Sequence, residues 1–166
     1  MQMLSRLLRH AAATKATARR LFPAATLQAI TEIIRQGEQL HRAEIKLIIE
    51  TSLSTQNILR KLSARDRARG LFLEHKVWDT EDNGGVLVYV NLADRKVEIV
   101  ADRGVDRCLT KTEWHAVCKI ITDGFAAGIF HDSVIAALVE LNDRLQSALP
   151  AAGKSENILG DTPLLL

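Results

Sequence analysis

The chain has 166 residues, 47% hydrophobic and 25% charged, with a formal net charge of +2. That is the length and balance of one ordinary globular domain with a real core. So small a net charge, with no zinc-finger spacing and no RNA-recognition aromatic motif, argues against nucleic acid as a partner.

The N-terminal segment, residues 1–22, is basic. Arg6, Arg9, Lys15, Arg19 and Arg20 occur with no acid before Glu32, and Leu4, Leu7, Leu8 and Ala11 fall at helical spacing. No apolar run approaches the roughly 18–20 residues of a membrane span. Nor does the segment have the apolar core and cleavage site of a secretory signal. The bland expectation is a short basic helix packed on the domain or left loose. The sharper one is contact with a partner or an anionic membrane surface through the five cations, each worth about 1 kcal/mol near lipid. In a eukaryote the same composition would resemble a transit peptide.

Pro23 opens a helix over about 24–40, with Leu27, Ile30, Ile33, Ile34 and Leu40 as its apolar stripe. A strand follows at about 43–50, where Ile45, Leu47 and Ile49 alternate with Glu44, Lys46 and Glu50. Residues 51–61 are polar and irregular. Ser63 and Asp66 have capping-box spacing for a helix running to about His75, with Ala68, Leu71, Phe72 and His75 on one face.

The most telling stretch is 83–104. Strands at about 85–92 and 95–101 are joined by a polar turn near Ala93, Asp94 and Arg95. Val86, Val88 and Val90 alternate with Leu87 and Tyr89, so the first strand is covered on both faces. Val97, Ile99 and Ala101 alternate with Lys96 and Glu98, which suits a strand buried on one face. A turn centred near Asp94 puts Asn83 opposite Gly104. The acidic run Asp79, Glu81, Asp82 then lies beside Asp102, Arg103 and Asp106. Asp94 is expected to bond its own backbone and Arg95 to pair with Glu98 or a neighbouring loop, a structural turn.

Thr110 and Glu113 form a second capping box, and Trp114, Val117, Cys118, Ile121 and Phe125 make a core-facing helical stripe. Gly124 and Gly128 loosen its end. Asp132 caps a last helix carrying Ile135, Leu138, Val139, Leu141 and Leu145, and Pro150 closes the domain. The expected organisation is a basic segment (1–22), an α/β domain (23–149) and a flexible tail (150–166). The element order predicts a three-layer α/β sandwich, a small mixed β-sheet with helices on both faces.

Asn83-Gly84-Gly85-Val86-Leu87-Val88-Tyr89-Val90, with Asp94-Arg95-Lys96-Val97-Glu98-Ile99 and Phe125-Ala126-Ala127-Gly128, resembles the core of the TPM domain family. Val77-Trp78-Asp79-Thr80 and Asn157-Ile158-Leu159-Gly160-Asp161-Thr162-Pro163 resemble its short, signal-less bacterial branch, and the resemblance spans about 24–149. It implies a fold more than an activity. Some members are described as acid phosphatases, some bind divalent ions such as calcium, and many have no assigned role. Two positions depart from the pattern. Lys111 stands where the family usually has Asp, and Ile129-Phe130 where it often has Asp-Tyr.

Read for chemistry, Asp79-x-Glu81-x-Asn83-Gly84 matches the first half of a calcium loop, but the twelfth position is Val90, so an EF-hand is excluded. A looser oxygen site for calcium or magnesium would use Asp79, Glu81, Asp82, Asn83, Asp102 and Asp106. The bland alternative is a solvated acidic loop with a local Asp–Arg pair. No cysteine-phosphatase motif, nucleophile elbow or Walker loop is present, and His10, His41, His75, His115 and His131 lack zinc-ligand spacing. No catalytic residue is assigned, and no cofactor is certain. Cys108 and Cys118 are expected as free buried thiols of a reducing compartment. The expected role is a cytoplasmic binding or accessory module with an unknown protein partner, peripheral at the inner membrane face. The alternative is a metal-assisted acid phosphatase.

Overall fold

The computed structural model describes residues 2–153 and 157–166. Residue 1 of the basic segment and residues 154–156 of the tail lie outside the described residues. The helices are α1 (Gln2–Ala12), α2 (Lys15–Leu21), α3 (Ala24–Glu38), α4 (Thr55–Leu59), α5 (Ala64–Glu74), α6 (Arg103–Asp106), α7 (Lys111–Ala126) and α8 (Phe130–Ala148). The strands are β1 (Glu44–Glu50), β2 (Gly85–Asn91), β3 (Lys96–Ala101) and β4 (Leu164–Leu165).

The sheet order is β3-β2-β1-β4, with β1 parallel to β2 and β4, and β2 antiparallel to β3. The period-two pattern decides the layers. Ile45, Leu47, Ile49, Val86, Val88, Val90, Val97 and Ile99 join the cluster that also takes in Ile30 and Ile34 of α3, Val117 and Ile121 of α7 and Leu138 and Leu141 of α8. Ile48, Leu87 and Tyr89 cross to the other face, against Ala68, Leu71 and Phe72 of α5. The expected mixed α/β sandwich is what forms.

The hairpin register pairs Val86 with Ala101 and Val88 with Ile99. Asn83 therefore meets Gly104, as the turn position required. A Cβ on Gly104 would lie 2.3 Å from the Asp82 carbonyl oxygen and 2.6 Å from that of Asn83. Gly85 is as constrained, since its Cβ would lie 1.8 Å from the Val77 carbonyl oxygen. Glycine lets the chain before β2 pack backbone to backbone.

Several local expectations change. Leu40 lies past the end of α3 and is half exposed, because Glu38 closes the helix. Asp132 does not cap α8; it sits in the first turn of a helix that begins at Phe130. Gly124 serves close packing of α7 on α8, with Ser133 Cβ 2.1 Å from where its own Cβ would stand. The irregular stretch 51–61 contains α4, capped by Ser54. Cys108 is exposed and Cys118 only half-buried, so the thiols are free but not both buried. Residues 157–166 of the tail lie on the sheet. Leu164 and Leu165 pair with Ile48 and Ile49, Glu44 accepts the amides of Ile158 and Leu159, and Lys46 Nζ donates to the carbonyls of Leu159, Gly160 and Thr162.

Candidate functional site

The acidic edge assembles only in part. Asp82 and Asn83 come to Gly104 as expected, but Asp79, Glu81 and Asp82 are exposed. Asp82 packs beside the Arg103–Gly104 backbone, but its carboxylate lies 3.5 Å from the exposed Arg42 guanidinium and pairs there. Asp102 accepts the Arg103 amide at 2.6 Å and caps α6, while Asp106 stands on the exposed side of that helix.

A different set of polar groups gathers where β1 and β2 end, the place where open α/β sheets carry their ligands. Glu50, the last residue of β1, is buried. It accepts Arg67 Nη2 at 2.7 Å, Arg67 Nε at 3.1 Å and the Tyr89 hydroxyl at 2.5 Å. Asn91, the last residue of β2, donates to the Tyr89 oxygen at 3.0 Å, and its own carbonyl oxygen accepts the Asp94 amide at 2.8 Å. Burial pushes the Tyr89 phenol well above its ordinary range, and the Glu50 carboxylate adds to it. Tyr89 is thus a donor and not a base.

The chain of contacts continues into α1. Arg6 grips Asp94 with Nη2 at 2.7 Å and Nε at 3.0 Å, and also donates to the Leu62 carbonyl. Arg9 reaches Asp94 at 3.3 Å, and His10 Nε2 lies 3.1 Å away. Because His10 Nδ1 accepts the Leu53 amide at 2.9 Å, the ring proton sits on Nε2 and faces the carboxylate. Burial alone would raise the Asp94 pKa, but the Arg6 and His10 contacts outweigh it and hold the group below its ordinary value. Asp94 therefore fastens α1 to the sheet instead of closing its own turn, and Glu98 lies near Arg65, not Arg95. No local pattern could have linked Arg6 to Asp94. The one available signal was the lack of any acid near Arg6 and Arg9 in sequence.

With Arg6 and His10 committed inward, α1 turns apolar residues out. Leu4 is 65% and Leu8 63% exposed, and Lys15, Arg19 and Arg20 of α2 are exposed as well.

A third feature lies along the free edge of β3, between α5 and α7. It is a cavity of about 380 Å³ lined by Arg65, Glu98, Ile99, Ala101, Asp106, Lys111, Trp114, His115 and Cys118. Burial pushes the Cys118 thiol up to about 11, with the Glu98 charge adding, so it stays protonated and is no nucleophile at neutral pH.

Compared with known proteins, residues 17–144 match the TPM domain model. The chain belongs to the TPM domain family. The NMR structure of the BA42 protein from the psychrophilic bacterium Bizionia argentinensis is similar, with a TM-score of 0.76 and 23% identity. The match covers 87% of this chain and 94% of that one, and at this identity it speaks for the fold alone. No curated protein matches the chain.

Among the described residues, no group of three or more His, Cys, Asp or Glu side chains is gathered to hold a metal ion. The two departures also fall apart in space. Lys111 is the first residue of α7, and Ile129 and Phe130 lie past its last, so the positions are about 24 Å apart along the helix. Phe130 packs on Phe125 with ring centroids 4.9 Å apart. Carboxylates at those two positions would not share one site here.

Proposed function

We propose that this TPM domain protein is a binding module that docks on an anionic membrane face through its N-terminal helices. One observation supports this above all: α1 is pinned by Arg6 and His10 on Asp94 and presents Leu4 and Leu8 to solvent. An amphipathic helix in a soluble domain normally buries its apolar side. Here Arg6 and His10 face the domain while Leu4 and Leu8 stay exposed, next to the exposed cations Arg9, Lys15, Arg19 and Arg20. Such a surface inserts shallowly while the cations meet lipid headgroups. No described helix is long and apolar enough to cross a membrane, so the contact is peripheral. The expected place is the cytoplasmic face of the inner membrane.

The test is co-sedimentation with phosphatidylserine-containing vesicles. The full chain pellets at low salt and is released as salt rises, while neutral vesicles leave it in the supernatant. Leu4→Asp with Leu8→Asp abolishes pelleting without unfolding the domain, because both side chains are exposed. Undiminished pelleting of that variant refutes the reading. Deleting the first twenty residues is a poorer test, since it strips Asp94 of Arg6, Arg9 and His10 together.

The alternative, an acid phosphatase, is supported by family membership. Turnover of a generic phosphate ester that is lost in Asp102→Asn would establish it.

A further inference from the structure

The cavity between α5, the free edge of β3 and α7 has no part in membrane docking, and its chemistry points elsewhere. We infer that it is a binding site for a small zwitterion, an α-amino acid with an apolar side chain. Its volume of about 380 Å³ falls in the range of small-molecule sites.

The charges select the ligand class. Arg65 and Glu98 compensate each other at 3.7 Å, and the Arg65 guanidinium also donates to the Ile99 carbonyl. Lys111 and Asp106 are left, and neither makes an ion pair with any described residue. A simple anion would meet Lys111 but be repelled by Asp106 and Glu98. A simple cation would suffer the reverse from Lys111 and Arg65. A molecule carrying both charges satisfies both walls: its carboxylate goes to Lys111 and its ammonium to Asp106.

The floor suits the remainder of such a molecule. Asp102 donates its amide to Gly85 across the ladder, so the odd residues of β3 turn their backbone groups outward. Ala101 thereby offers an N–H and a C=O at the cavity edge. A peptide strand added along this edge is disfavoured, because Arg65 already occupies the Ile99 carbonyl. Ile99 and the Trp114 ring supply apolar surface for a side chain. Trp114 Nε1 is buried with no hydrogen-bond partner, so packing alone holds the ring. A small rotation toward a bound carboxylate gives this indole the acceptor it lacks.

The chain has two tryptophans, and Trp78 is exposed, so Trp78→Phe leaves Trp114 as the single indole reporter. Fluorescence and calorimetric titrations of this variant use L-leucine and L-phenylalanine, each beside its N-acetyl and its amide derivative. At least one free amino acid is expected to bind saturably, and each derivative, lacking one charge, binds at least tenfold more weakly. In the same background, Lys111→Met and Asp106→Asn each weaken binding at least fivefold with unchanged urea midpoints, both side chains being exposed. Binding of neither amino acid by calorimetry overturns the proposal. So do derivatives that bind as well as the parent, or two variants that bind as the parent protein does. Vesicle pelleting is read separately on the same proteins, so failure here leaves the docking reading intact, and the reverse.

Discussion

Removing Glu50 tests whether the buried network at the strand ends is real. Its side chain is 8% exposed, and it neutralises Arg67, whose side chain is 22% exposed, while accepting the Tyr89 hydroxyl. Glu50→Leu leaves the guanidinium with only Glu74, at 3.7 Å and 62% exposed, and takes away the phenol's acceptor. Breaking one side of a buried pair costs about 3–5 kcal/mol. Tyr89→Phe, which deletes the hydrogen bond to the charged Glu50 and takes the acceptor from Asn91 Nδ2, should cost at least about 1.5–3 kcal/mol. In Glu50→Leu with Arg67→Leu both charges leave together, so the double variant should recover at least about 1.5 kcal/mol relative to the sum of the single losses. Urea unfolding of the wild type, Glu50→Leu, Arg67→Leu and the double variant, followed by circular dichroism, measures that coupling. A coupling energy below about 0.5 kcal/mol would refute the network as drawn, since residues in contact normally couple by more than that.

Three further outcomes follow from the packing and charge around the sheet. Gly85→Ala drives a Cβ onto the Val77 carbonyl and should destabilise by more than about 3 kcal/mol, above the usual overpacking cost because the obstacle is backbone. Gly70→Ala, on an open stretch of α5 with nothing within 4 Å, should stabilise by about 0.5–1 kcal/mol; both are read from urea midpoints. Burial pushes Glu38 up to about 8, partly opposed by the Ile45 amide and reinforced by Asp161 and Glu44. The native state then holds a proton the unfolded chain has lost, so this group makes stability fall as pH rises from about 4.5 to about 8 and level off above. The wild type should be less stable at pH 9 than at pH 6, and Glu38→Gln should remove most of the difference; an equal difference in both proteins would sink the assignment.

The local pattern carried the secondary structure because helices and strands are specified by spacing over a few residues. The alternation of Val86, Val88 and Val90 with Leu87 and Tyr89 fixed which face each residue takes, and the turn at Asp94 fixed the register down to Asn83 against Gly104. Where that pattern misled, the partners came from far along the chain. Glu44 and Glu50 alternate with apolar residues as solvent-facing charges should, yet both are buried. Arg67 covers one, and the amides of Ile158 and Leu159, more than a hundred residues away, cover the other.

The same limit governs the candidate sites. Sequence could place Asp79, Glu81 and Asp82 near Asp102 and Asp106 because a single hairpin connects them, but it could not say that Arg42 would come to Asp82. For α1 it supplied a helix, a set of cations and an apolar stripe. Periodicity gives the two sides of a helix and leaves open which side meets the domain. Only the tertiary structure decided that, through Asp94, 88 residues beyond Arg6, whose buried carboxylate needs cations and draws Arg6 and His10 inward, leaving Leu4 and Leu8 exposed.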